Sequence, residues 1–221
     1  AYLFPELVEG YDYWGYGDID LIYGNLRHFL TEEVLSYEKI FTLGHLTLIE
    51  NKEKFNQMFL REIDGVEFYR KVFSSPVNFN FDEKFQDKVN INTIFKANDC
   101  RVWEKSYAAD IYTKSSNFLL DIGDGTKEER KDSLFVWNKG NLYRYYDNES
   151  GKIECQEFMY IHLQKRKMIN KLNSACELYK IIPNSFEQLE FDFNDIESKF
   201  RRIKRKNANL QYFRIRFRNL K

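Results

Sequence analysis

The chain has 221 residues, room for one large or two small domains, and its 43% hydrophobic and 17% aromatic content can fill a sizeable core. Lysine plus arginine (34) equals aspartate plus glutamate (34), so the composition excludes both a disordered chain and a uniformly basic nucleic-acid binder. The neutrality is a sum, however: Lys199 to Lys221 holds ten basic residues and no acidic one, which leaves 24 basic and 34 acidic residues before it, an acidic body with a basic tail.

In chain order, Tyr11–Tyr23 (Y-D-Y-W-G-Y-G-D-I-D-L-I-Y) reads as a buried strand with a short turn at Gly15 and Gly17. Thr31 is placed to cap a helix with Glu32 and Glu33 in its first turn. Phe41–Ile49 reads as a second strand, and Asn51 as the cap of a helix with Phe55, Met58 and Phe59 on one face. Ser74–Asn98 shows no sustained period and reads as a long loop. Gly123-Asp124-Gly125 is a turn signal. Leu134–Trp137, Leu142–Tyr146 and Ile153–Leu163, separated by N-K-G-N and N-E-S-G turns, form a β-meander pattern. A helix is expected from Asn194 to about Lys206, and the alternation Phe213-Arg214-Ile215-Arg216-Phe217-Arg218 suggests a strand. Cys100, Cys155 and Cys176 lack metal-finger spacing and point to reduced thiols in a cytoplasmic setting. No apolar run approaches the length of a membrane span, and no signal-peptide pattern opens the chain.

Asp18-Ile19-Asp20 is the sharpest chemical feature. On a strand, both carboxylates share a face while Ile19 packs inward. Their mutual repulsion is relieved by a hard divalent cation that also takes phosphate oxygens; the plain alternative is a solvated strand end. In Tyr160–Lys167 (Y-I-H-L-Q-K-R-K), alternation places Tyr160, His162 and Gln164 on one face. His162 is then a candidate metal ligand, and Lys165 and Arg166 candidate partners of a diphosphate, against the alternative of a solvated basic turn. Gly44-His45 is either a substrate contact or a rim of the core. Asp82 and Glu83 are either a base for an acceptor hydroxyl or an exposed acidic loop.

The segments Y-D-Y-W-G-Y-G-D-I-D-L-I-Y-G-N-L-R-H-F-L, L-G-H-L-T-L-I-E-N and Y-I-H-L-Q-K-R-K-M, in that order across most of residues 10–168, resemble a family of bacterial glycosyltransferases found with capsular and surface-polysaccharide genes. That family is similar to the broader GT-A type of nucleotide-sugar-dependent transferase. The resemblance implies an α/β fold, a GT-A-like mixed sheet with flanking helices and a β-meander. It implies a metal- and donor-binding portion over 1–168 and a C-terminal extension with the basic tail over 169–221. It further implies Mn2+ or Mg2+ held by Asp18, Asp20 and His162, with Lys165 and Arg166 near the donor diphosphate. Gly44 and His45 would line the sugar pocket, and Asp82 and Glu83 would be the catalytic base or acceptor-binding pair. The partners implied are a nucleotide-sugar donor and a glycan or lipid-linked acceptor.

Only 17 residues precede Asp18, too few for the βαβ unit that binds the nucleotide base in GT-A proteins, so an N-terminally truncated fragment lacking that unit is expected. Two other functions compete: a non-catalytic carbohydrate-binding or scaffold protein of the same fold, and a nucleic-acid module that uses the tail. The tail itself has two readings, a solvated helix followed by a β-prone end, or a patch drawn to an anionic membrane surface at its inner face with Phe200, Ile203, Phe213, Ile215 and Phe217 adding apolar contact.

Overall fold

The computed structural model describes residues 1–83, 88–122, 126–128, 132–173 and 176–220, so the Gly123-Asp124-Gly125 turn lies outside the described residues. In chain order the elements are β1 (Tyr13–Gly17), β2 (Leu21–Tyr23), α1 (Leu26–Phe29), β3 (Lys39–Ile40), β4 (Leu46–Glu50), α2 (Glu53–Asn56), α3 (Phe68–Phe73), α4 (Ile91–Ala97), β5 (Val102–Trp103) and β6 (Ala108–Asp110). Then follow β7 (Leu134–Asn138), β8 (Asn141–Asp147), β9 (Ile153–Phe158), β10 (Tyr160–His162), β11 (Ile169–Asn170), β12 (Leu178–Ile182), β13 (Ser185–Gln188), α5 (Ile196–Lys199) and α6 (Leu210–Arg218). The class is mixed α/β. Among the described residues no helix is long and apolar enough to cross a membrane, and all three cysteines are free.

The chain forms two compact units, one from Ala1–Ile19 with Leu30–Ser106, the other from Asp20–Phe29 with Tyr107–Lys221. Residues 169–221 therefore belong to the second unit. The boundary between Ile19 and Asp20 corrects the expected strand over Tyr11–Tyr23. β1 ends at Gly17 in one sheet, β2 starts at Leu21 in another, and Asp18–Asp20 form a bend between them. Ile19, expected in the core, is fully exposed, because a residue in that bend has no sheet face on which to pack.

The first unit is built on a four-stranded sheet in the order β1-β4-β3-β5, with Ile49, Phe55, Met58, Ile91, Ile94 and Phe95 as its core. The strand expected over Phe41–Ile49 begins only at Leu46, since Phe41 takes a positive φ of 68° that turns the chain out of β3. Asn51 does not cap a helix: its side-chain amide donates to the carbonyls of Val8 (2.7 Å) and Tyr11 (2.9 Å) instead. The expected helix splits into α2 and a 3-10 turn over Met58–Leu60, which still buries Phe55 and Met58. After Thr31 only a single 3-10 turn, Val34–Ser36, forms. The segment read as a loop over Ser74–Asn98 contains α4, started by a capping box in which the Asn90 side chain accepts from the Asn92 and Thr93 amides and Thr93 closes back on Asn90. Threonine in place of the usual glutamate or glutamine obscures that signature.

The second unit holds a three-stranded sheet in the order β2-β10-β6 and a six-stranded sheet in the order β11-β13-β12-β7-β8-β9. The expected meander is present as antiparallel β7, β8 and β9, but its third run, expected over Ile153–Leu163, ends at Phe158, and Tyr160–His162 forms β10 in the other sheet. β7 is covered on both faces. Leu134 and Val136 pack with Ile182, Ile196 and Phe200, while Phe135 packs with Leu142, Phe158 and Ile181 on the other side. Double coverage explains why its sequence is a continuous apolar run. In the tail, the expected helix over Asn194–Lys206 becomes short turns ending at Arg202, which bury Ile196 and Phe200, with Ile203 packed just beyond them. The expected terminal strand is instead helix α6, capped by the Asn209 side chain on the Tyr212 amide (2.9 Å). Its Phe-Arg alternation also places like residues four apart, the spacing of a helix face, and Tyr212 and Ile215 anchor the buried side.

Lys39 in β3 is fully buried, its ammonium donating to the Phe41 carbonyl at 2.6 Å. Burial pulls its pKa down to about 7, against a smaller opposing pull from Asp82. Between that value and the unfolded value near 10.5, the unfolded chain binds a proton that the folded chain does not. Stability therefore rises with pH across this interval, by up to about 1.4 kcal/mol per pH unit. Above roughly pH 10 the half-buried Tyr16 hydroxyl, pushed up to about 12 by burial, acts in the opposite direction. We expect Lys39→Met to raise the melting temperature at pH 7 and to flatten the rise between pH 7 and 9. Calorimetric melts across that range check it, and an unchanged pH dependence would remove Lys39 as its source.

Candidate functional site

In the second unit, β10 is the middle strand of its sheet, antiparallel to β2 and parallel to β6, with His162 in register with Leu21 and Asp110. Tyr160, Ile161 and His162 are all buried. Register brings Asp110 Oδ1 to 3.0 Å from His162 Nδ1, and Asp20 Oδ1 stands 3.5 Å from Nε2. Two supports fix the carboxylates. The Gln164 amide donates to Asp110 Oδ1 (2.7 Å), and the Lys165 backbone N–H donates to Asp20 Oδ2 (2.6 Å). These contacts need the chain to turn sharply after Leu163, and Gln164 and Lys165 both take positive φ, 54° and 58°. An imidazole with a carboxylate at each nitrogen has its orientation set by one and can offer its other nitrogen to a cation held by the other.

Arg166 is half-buried, donating from Nη2 to the Ser115 carbonyl at 2.7 Å. The Lys165 side chain is exposed.

The first unit gathers a different set. The Asp18 amide, just past β1, donates to the His45 carbonyl (3.1 Å), and the His45 ring is buried. Gly44 N–H donates to Glu83 Oε2 at 3.3 Å, and a Cβ on Gly44 would stand 2.5 Å from Asp82 Oδ2. Glycine lets the Asp82 carboxylate sit against the backbone there; a larger residue would push that side chain away. The Tyr16 hydroxyl donates to the Asp82 carbonyl at 3.3 Å. The Asp82 carboxyl is held above the usual carboxylate range, first by burial and then by the negative charges of Glu83 and Asp18, with Lys39 partly offsetting them. Beside it lies a cavity of about 220 Å3 whose walls include Trp14, Tyr16, Phe55, Phe59 and Phe81.

The structure thus gathers Asp18, Gly44, His45, Asp82 and Glu83 in one unit, and Asp20, His162, Lys165 and Arg166 in the other. Asp110 and Lys39 escape the sequence reading. The Ala108-Ala109-Asp110 run carries no motif, and only its parallel pairing with β10 brings the aspartate to His162. Lys39 is hidden because a lone lysine is ordinarily a surface residue. We expect Glu83→Gln to lower the Asp82 pKa toward the ordinary carboxylate value, read by carboxyl 13C NMR titration; no movement would remove Glu83 as a cause.

No curated protein and no solved structure matches the chain. A family model described as a family of unknown function matches residues 1–190, well over half of the sequence. The chain belongs to that family, DUF6625.

Proposed function

We propose a metal-dependent glycosyltransferase activity that moves a sugar from a nucleoside-diphosphate sugar to a surface-polysaccharide or other glycan acceptor, on a GT-A-like scaffold. The observation that carries it is His162 set between Asp20 and Asp110 at the end of a buried strand. The donors fit Mn2+ or Mg2+, since carboxylate oxygen and imidazole nitrogen suit these ions. Asp20 and His162 Nε2 would hold the ion, and Asp18 is retained on its D-x-D spacing alone. When bound, the ion supplies charge stabilisation for the leaving diphosphate.

The chain's own groups supply the rest. Asp110 Oδ1, 3.0 Å from His162 Nδ1, is placed to hold that nitrogen protonated and leave Nε2 for the ion, while Gln164 keeps Asp110 in place. Lys165 and Arg166 follow in the chain as cations for the same diphosphate. Asp82, with its raised pKa, is suited to accept the acceptor hydroxyl proton, with Glu83 beside it. The aromatic walls next to Asp82 suit the apolar face of a sugar ring, and Gly44 lies against the Asp82 carboxylate; His45 is kept as a sugar-pocket residue on its place in the sequence alone.

Calorimetric titration with Mn2+ followed by nucleotide sugars tests this. We expect saturable Mn2+ binding that Asp20→Ala abolishes and Asp110→Asn weakens by roughly tenfold or more. Nucleotide-sugar binding should require the metal. Glycan binding that ignores a chelator would instead favour the non-catalytic carbohydrate-binding reading. Absence of both Mn2+ and Mg2+ binding would overturn the transferase.

A further inference from the structure

The second unit contains a cavity of about 340 Å3 between the turn that follows β10 and helix α6. Four cations line it: Lys165 and Arg166 from the turn, Arg214 and Arg218 from the helix. Among the described residues no aspartate or glutamate lines it, and none of the four has an ion-pair partner. Gln164 and Gln211 add neutral hydrogen-bonding groups to the walls.

Each cation is positioned by local structure. Arg214 and Arg218 are four residues apart, so α6 presents them on one face with Gln211 a turn before, whereas Arg216 is off that face. Two like charges at this spacing repel unless an anion lies between them. The buried Tyr212 and Ile215 and a contact from the Tyr212 hydroxyl to Asn117 Oδ1 (3.4 Å) hold the helix against the unit. Arg166 is tied down from the opposite side by Nη2 on the Ser115 carbonyl and by packing over the Phe118 ring. Its Nη1 is buried and meets no acceptor among the described residues. Burial draws the guanidinium pKa down to about 10, the cost of a charge with too few partners. A fixed guanidinium lining a cavity with two more from the helix matches the several oxygens of a phosphoryl group.

We propose that this cavity binds a phosphate or diphosphate group, with Arg166 as the fixed anchor and Arg214 and Arg218 as the opposing wall. The two basic segments of the sequence, Lys165–Lys167 and the tail, then contribute to one site. The inference rests on the transferase reading for naming a nucleoside diphosphate as the natural source; its anion chemistry stands without that reading. A lipid phosphate headgroup carries the same chemistry.

The test is calorimetry of the full chain with inorganic pyrophosphate in the presence of a chelator, alongside sedimentation with phosphatidylcholine vesicles containing phosphatidic acid. Arg214→Ala/Arg218→Ala should weaken pyrophosphate binding by about tenfold or more, while Arg216→Ala, on the same helix but off the cavity, should leave it unchanged. Both sites are exposed, and unchanged circular dichroism would verify folding. Loss confined to the vesicles identifies the lipid source and supports the cavity. Equal losses in the double variant and Arg216→Ala, or no loss with either probe, overturn it. Because the chelator is present, this outcome is separable from the Mn2+ titration: either site can fail while the other stands.

Discussion

The chemistry of the second unit depends on three buried residues of β10. A strand of only three residues, paired antiparallel on one side and parallel on the other, has no freedom to slip, because a shift by one would reverse which face each side chain meets. That register places Asp110 against one ring nitrogen of His162 and brings the chain entering β2 against the other. Once the strand ends, the turn through Gln164 and Lys165 returns an amide to Asp110 and a backbone N–H to Asp20. The positive φ angles in that turn cost conformational energy, which these charge-assisted hydrogen bonds offset.

Local signals carried part of this architecture. The β-meander was readable because its turns, Asn138–Asn141 and Asn148–Gly151, separate runs of β-forming residues at hairpin spacing. The residue types of the site were readable too, since aspartates, a histidine and trailing cations point to metal and phosphate chemistry wherever they lie. What local signals misplace is context. The Asp18-Ile19-Asp20 bend looked like strand because its apolar and aromatic neighbours belong to strands on both sides. α6 looked like strand because a period of two and a spacing of four coincide in so short a repeat. Asp110 was invisible, as its role comes from a parallel pairing between segments far apart in sequence.

Charge is distributed more specifically than the composition suggests. Carboxylates concentrate around Asp82, where the charges of Glu83 and Asp18 help to raise its pKa, and a buried lysine sits within reach of that field. Cations concentrate along the wall shared by Arg166 and α6, where no carboxylate answers them among the described residues. A tail that counts as a uniform basic stretch divides in three dimensions. Phe200, Ile203 and Ile215 are core residues, while Phe213 and Phe217 remain exposed.

The chain passes between its two units at Ile19, at Phe29 and at Ser106, so neither unit is a continuous stretch of sequence. This sets an order of events during synthesis. All of the first unit has been made when Ser106 leaves the ribosome, and it can assemble then. The segment that becomes β2 has also been made, but β10, the strand that pairs with Leu21 and Ile22, comes much later. For that interval the first unit can be complete while β2 waits for its partner strand, which makes Asp20–Phe29 the segment most in need of protection in a nascent chain.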